Sequence, residues 1–360
     1  MTAARDRGVA GPAEPLRRVG PDGVPLPGAR LPEELDDAAV VELHGFMLQQ
    51  RVLDRAMVAQ MRAGAFHRYP AATGQEAAIF GAGWALSHQD WVFPSLREHG
   101  VARMRGSTID ELVAQCFANV LDHHKGRQRP TQLGAPEQQL ASPTAALATH
   151  LLHAVGAARG MGVRGSNAVV LAFHGAAATG RGDAHAAFHQ AGRARLPVVF
   201  MCVRNLAPGS YPFERHTRAA TVADRVRPYG IRGVRVDGAD VFAVFEATRD
   251  AVARARRGAG PTLVEALTWR LEDPAGADEG WRVHDPIARL EAYARRRGVL
   301  DSEAIAQATQ ALEGEIDDVL AINAVQDPVA PETLFDDVLA HRSWALAEQA
   351  EELDAALRSS

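Results

Sequence analysis

One lysine, Lys125, stands among 39 basic residues, so nearly all the positive charge of this chain is arginine. That bias reads as codon composition rather than as a binding signature. Cysteine is scarce too. Cys116 and Cys202 are the two present and lie far apart, which excludes a disulfide scaffold and reads as buried thiols of a reducing compartment. No apolar run approaches the ~18 residues of a membrane span. The amino terminus MTAARDRGVAGPAEPLRRVG has no apolar core segment, so it does not read as a secretory signal. Strong charge of either sign is also missing. A net charge of −5 points to no nucleic acid and no polyanion partner. These absences together predict a cytoplasmic protein without a membrane partner.

What is present is 360 residues, 47% hydrophobic and 23% charged, enough for one large domain or two ordinary ones with a substantial core. Residues 1–32 are rich in Pro, Gly and Arg, carry no periodicity and read as a flexible arm. A helix is expected from Asp36 to Ala63, with Val40, Leu43, Phe46, Met47, Val52, Met57 and Met61 on or near one stripe. Thr73 with Glu76, and Thr108 with Glu111, have the spacing of helix capping boxes. An alanine-rich helix is expected from Pro143 to Gly160. Strand candidates are Val169–Phe173, Val198–Val203, Gly233–Val236 and Thr262–Ala266, with helices Asp183–Arg195 and Val241–Arg257 between them. Three polar-faced helices follow from Pro286, the last being Leu334–Leu357. The pattern predicts an α/β fold with a doubly wound, mostly parallel sheet and helical extensions at both ends, residues 33–360 forming a single domain.

The most informative stretch runs from Val169 to Asn205, as strand, small-residue turn, helix and strand: the βαβ unit of an open parallel sheet. Such a unit puts its first turn at the carboxyl edge of the sheet, where phosphates and metals bind. Here the turn is Gly175-Ala176-Ala177 and offers no carboxylate. A glycine turn after a strand is by itself as often a tight connection as a binding loop. The wider constellation is more specific: LREHG at 96–100, KGRQ at 125–128, ASP at 141–143, GDAHAAF at 182–188, RNL at 204–206 and PTLVEALTWR at 261–270, in that order. In these segments, and over roughly residue 16 to the end, the chain resembles the alpha subunits of the thiamine-diphosphate-dependent 2-oxo acid dehydrogenases, the decarboxylating first component of those complexes. AQCFANV and GDAHAAF are most similar to the branched-chain branch.

The resemblance implies a thiamine-diphosphate-binding fold, thiamine diphosphate and Mg²⁺ as cofactors, and a beta-type subunit as partner in an α2β2 assembly. It implies as a further partner a lipoyl-bearing acyltransferase. A homodimer is the other arrangement open. By the same resemblance the alpha subunit holds the diphosphate end of the cofactor through a metal bound in a Gly-Asp-Gly or Gly-Glu-Gly turn, closed further along by an Asn-Asn pair. Registered on Leu196-Pro197, Gly175 falls on the first glycine, Ala176 on the acid and Ala177 on the second glycine. Asn205 falls on the second asparagine, a residual metal ligand, and Arg204 replaces the first. Magnesium takes oxygen ligands, and alanine supplies none from its side chain. Arg97 keeps the charged half of a diphosphate-contacting Tyr-Arg pair, Leu96 replacing the tyrosine, and Ser142 matches a serine near the diphosphate. Ala207 stands where a tyrosine lends its carbonyl, and Pro274 where the catalytic histidine belongs.

Other residues could compensate. Arg181 and Arg204, with His174 before the turn, could meet phosphate oxygens without a metal. His99 beside Arg97 is the one candidate catalytic side chain, packing being its other reading. His185 and His189 share a helix face with zinc-ligand spacing, but no third ligand is evident. The residues leave two readings open: a catalytically impaired alpha subunit that persists as a partner of a beta-type subunit, or an active decarboxylating subunit with an altered site.

Overall fold

The computed structural model describes residues 14–207, 213–215, 217–271, 283–336 and 339–359. Eleven helices are seen among them: α1 Asp37–Arg62, α2 Glu76–Trp84, α3 Val101–Met104, α4 Ile109–Phe117, α5 Thr149–Val163, α6 Gly182–Arg193, α7 Val222–Arg225, α8 Val241–Arg256, α9 Pro286–Arg297, α10 Ser302–Ala324 and α11 Trp344–Ser359. The strands are β1 Trp91–Phe93, β2 Val170–Gly175, β3 Val198–Asn205, β4 Arg232–Asp237 and β5 Thr262–Thr268. They form one sheet in the order β1-β2-β3-β5-β4, every neighbouring pair parallel. This is the α/β architecture expected from the alternating pattern.

Strand residues are buried on both faces, as a parallel sheet flanked by crossover helices requires. The period of two divides them cleanly. Leu171, Phe173, Val199, Met201, Val264 and Ala266 point into a core shared with α1, α2, α8, α9 and α10. Val170, Ala172, Val198, Phe200, Cys202 and Leu263 point to the other side, against α5 and α6. The crossover β2–α6–β3 therefore covers one face and β4–α8–β5 the opposite face, so the loops at the carboxyl ends of β2 and β3 border a crevice.

Local chemistry explains most of the element boundaries. Asp36 caps α1 by accepting from the Ala39 amide at 2.9 Å, and the expected stripe is buried at Val40, Leu43, Met47, Val52 and Met57. Thr108 and Glu111 form the expected capping box on α4. The Thr73 box does not form. The cap of α2 is Gln75, Thr73 Oγ1 donates to Asp54 Oδ2 at 3.3 Å, and the Glu76 carboxylate accepts from the Gly74 amide while pairing with Arg51. The alanine-rich helix starts at Thr149 rather than at Pro143, because Ala148 sits at φ +75° and breaks helical continuity. The last helix likewise begins at Trp344, after a separate 3₁₀ turn at Pro331–Phe335. β1 was not expected from the pattern.

The arm expected to be flexible is packed from residue 14 onward. Leu16 bridges in parallel to Val236, with Leu16 N donating to Arg235 O at 2.9 Å and Asp237 N donating to Leu16 O at 3.0 Å. The Arg18 guanidinium pairs with Glu246, and Val19 is 1% exposed. Low periodicity hid this segment, since three anchoring residues suffice to fix it. Residues 1–13 of the expected arm lie outside the described residues. Among the described residues no helix is long and apolar enough to cross a membrane.

Candidate functional site

A cleft of about 750 Å³ opens at the carboxyl ends of β2, β3 and β5. Its floor comes from Gly175, Ala176 and Ala177 after β2, and one wall from Arg204 and Asn205 at the end of β3. Arg270, just past β5, and the loop bearing Ser95, Leu96 and Arg97 close two further sides. The last wall is the segment leading into α5, with Thr144 and His150. The size suits a cofactor-sized ligand. Gly74 helps bring these walls together. It sits at φ +90°, and a Cβ there would lie 2.1 Å from the Trp269 carbonyl oxygen, so only glycine lets this loop lie against the end of β5.

The carboxylate missing from the sequence is missing from the cleft floor. Ala176 and Ala177 begin a 3₁₀ turn over Ala176–Gly180, and no acidic side chain replaces them there. Asn205, the residual metal ligand of the sequence reading, lines the cleft, but its Oδ1 is engaged. It accepts from the Arg270 amide at 2.9 Å and the Ala207 amide at 3.1 Å, which uses both of its lone pairs. Among the described residues no group of three or more His, Cys, Asp or Glu gathers to hold a metal. Among the described residues the one carboxylate lining the cleft, Glu98, is 3% exposed and accepts from the Ser95 amide and hydroxyl. These donors do not fit a divalent cation, which needs several open oxygen ligands.

They fit an anion better. Among the described residues four guanidinium groups, of Arg68, Arg97, Arg204 and Arg270, line the cleft against the Glu98 carboxylate. Arg97 Nη1 donates to the Ala71 carbonyl at 2.5 Å, which fixes the side chain on a neutral acceptor. Arg204 Nη1 pairs with fully buried Glu265 at 2.9 Å, and its Cζ lies 4.0 Å from the centroid of the Phe213 ring. Glu265 is itself shared, accepting from the Ala223 amide and facing Arg235 at 3.5 Å.

Of the other sequence candidates, Gly175 and Arg97 line the cleft, and Ser142 does not. The Ser142 hydroxyl donates to the Gln132 carbonyl at 3.0 Å, and Thr144, two residues on, faces the cleft instead. His99, the catalytic candidate, is 3% exposed and belongs to a buried network outside the cleft. Its Nε2 is 2.9 Å from Tyr69 Oη, 3.0 Å from Gln50 Nε2 and 3.7 Å from Asp54 Oδ1, which places it in the core and away from the cleft. Arg181 takes the N-cap position of α6 and is exposed away from the cleft. His174 is fully buried, its Nδ1 bonded to the Gly175 carbonyl, and burial pushes its pKa down to about 4. His185 is engaged by the Tyr229 hydroxyl and by Arg225 rather than poised with His189. Pro274 lies outside the described residues. Sequence reasoning missed Arg68, Arg270 and His150. His150 is 4% exposed, lines the cleft, and bonds through Nε2 to the Phe173 carbonyl at 2.7 Å; burial lowers its pKa.

The family model described as the dehydrogenase E1 component matches residues 44–332, which spans every wall of this cleft. The chain belongs to the dehydrogenase E1 component family. Within it the chain is of the alpha-subunit type of the thiamine-diphosphate-dependent 2-oxo acid dehydrogenases. It is 36% identical over 297 residues to the 3-methyl-2-oxobutanoate dehydrogenase subunit alpha of Mycobacterium tuberculosis, covering 79% of this chain and 78% of that one. It is 34% identical over 291 residues to the human mitochondrial 2-oxoisovalerate dehydrogenase subunit alpha, covering 78% and 64%. An Arabidopsis thaliana relative, 2-oxoisovalerate dehydrogenase subunit alpha 2, is 31% identical over 317 residues, covering 85% and 67%.

Proposed function

We propose that this E1-family chain is the alpha-type subunit of a 2-oxo acid dehydrogenase first component, that residues 33–360 fold as one domain, and that it assembles with a beta-type subunit. We propose further that its half-site does not hold magnesium and that thiamine diphosphate turnover in the orthodox way is impaired. One observation carries this: the acid position of the metal turn is Ala176, and the remaining ligand, Asn205, spends its Oδ1 on the Arg270 and Ala207 amides. A divalent cation there would lack both a carboxylate and an open amide oxygen. Incomplete compensation of a metal charge away from bulk water costs several kcal/mol.

The second reading keeps activity. The relatives named for 3-methyl-2-oxobutanoate and 2-oxoisovalerate favour a branched-chain 2-oxo acid as its substrate, with acyl transfer to a lipoyl-bearing acyltransferase. Calorimetric titration of thiamine diphosphate into the chain co-expressed with its beta-type partner, with and without Mg²⁺, separates the two. A stable complex whose heat of binding is indifferent to Mg²⁺ is expected. Micromolar binding that requires Mg²⁺ would sink the impaired reading. Restoring the turn by Ala176→Asp with Ala177→Gly is expected to raise Mg²⁺-dependent affinity at least tenfold, since a carboxylate returns to compensate the charge of the cation.

A further inference from the structure

The cleft keeps its positive charge although the acid of the metal turn is absent. Among the described residues, a chain with a net charge of −5 brings four guanidinium groups and one carboxylate to a single crevice. The Arg204 charge is balanced by Glu265, and Arg204 spends one N–H on it. Arg68 and Arg270 differ from it. Among the described residues their side chains make no hydrogen bond or ion pair, though Arg270 is half-buried and held in place by its own backbone bond to Asn205. Arg68 is exposed, and with no protein acceptor among the described residues both guanidinium groups are available to an acceptor that a ligand supplies.

The same backbone bond links the two halves of the observation. The amide of Arg270 occupies the Asn205 oxygen that would ligate a cation, and the side chain of Arg270 brings a fixed positive charge to the same crevice. One residue thus removes a cation ligand and adds a cation. Guanidinium groups bind phosphate oxygens directly, often in bidentate fashion, and need no metal to do so. In the wall that leads into α5, buried His150 donates through Nε2 to the Phe173 carbonyl, so its Nδ1, which has no partner, is an acceptor suited to a donor on the remainder of a ligand rather than to its diphosphate.

We infer that the cleft is a metal-independent site for a diphosphate ester, with Arg270 and Arg68 supplying the positive charge that a divalent cation would otherwise bring. The inference rests on the reading that magnesium is not held here, and extends it. Loss of the metal ligands exchanges one mode of diphosphate recognition for another and does not empty the cleft.

The test uses the full chain, alone and in complex with its beta-type partner, and two probes, inorganic pyrophosphate and thiamine diphosphate, titrated in EDTA and in Mg²⁺. Both probes are expected to bind in EDTA, with affinities that Mg²⁺ changes less than threefold and that weaken as salt is raised. Arg270→Ala is expected to weaken pyrophosphate binding at least tenfold, the Arg68→Ala, Arg270→Ala pair further, and Arg181→Ala not at all. Circular dichroism and melting of each variant separate a lost contact from a lost fold. Absence of pyrophosphate binding in EDTA by the folded complex overturns this inference and leaves the impaired-metal reading standing. An Arg270→Ala variant that binds as the parent does overturns it equally. Binding that appears only with Mg²⁺ overturns both.

Discussion

His174 shows what burial does to a single ionisable group in this fold. It sits on β2 with its ring against Phe188, fully enclosed, and its pKa is pushed down to about 4 from the ordinary 6.5 by desolvation. Between those values the unfolded chain binds a proton that the folded chain refuses, so stability rises with pH there. The contribution is complete above about pH 6.5, is lost as pH falls toward 4, and amounts to about 3 kcal/mol at 1.36 kcal/mol per unit. Urea denaturation of the parent and of His174→Phe at pH 7, 6, 5 and 4 checks it. The parent is expected to lose stability more steeply than the variant over that window, and parallel curves would refute the assignment. At this scale the sequence was an uneven guide. Ala176 was readable, because the turn is local and registers against Leu196-Pro197. The capture of Asn205 Oδ1 was not, because its partner Arg270 arrives from 65 residues away across the sheet. The burial of His99 was hidden for the same reason: Tyr69, Gln50 and Asp54, which enclose it, come from α1 and the loop before α2.

Among the elements, α8 depends on one capping residue that also holds a second segment. Asp240 caps it through Oδ1, accepting from the Phe242 and Ala243 amides at 3.1 and 3.2 Å. Its Oδ2 accepts from the Arg18 and Val19 amides at 2.5 and 2.8 Å, so one buried carboxylate ties the amino-terminal strap to the start of a core helix. Asp240→Ala is expected to cost about 2–4 kcal/mol by chemical denaturation, because it removes a cap and leaves two buried amides unsatisfied. Asp240→Asn is expected to cost less, since one oxygen remains. Equal losses for the two variants would show that a single capping oxygen is not enough and that both carboxylate oxygens are needed. The core strands and α8 were legible because a residue period of two or 3.6 is written in a continuous run. β1 was not: it has three residues before Pro94, and becomes a strand only by pairing with Val170, Leu171 and Ala172. The strap was illegible for a like reason, its order coming from Asp240 and Val236 rather than from its own pattern.

For the whole molecule, the distribution of burial separates a compact body from its last helix. Trp344 is 81% exposed and no residue of α11 is buried, whereas α10 still contributes Ile316, Val319 and Leu320 to the core. A chain ending at Arg342 is therefore expected to melt within about 2 °C of the full chain, since little apolar area is lost from the core. A drop of 5 °C or more in differential scanning calorimetry would show that α11 stabilises the body.

The bridge between Leu16 and Val236 has a consequence for how copies of this chain behave when crowded. β4 and β1 are the two borders of the sheet, and a bare border is a template on which foreign strands can add and start a fibril. Leu16 occupies part of one border, where the arginines at 232 and 235 add charge, and Leu140 bridges Val92 on the other. The strap is thus a guard against self-templating, and any shortened form that begins after Gly20 gives up that protection before it gives up its fold.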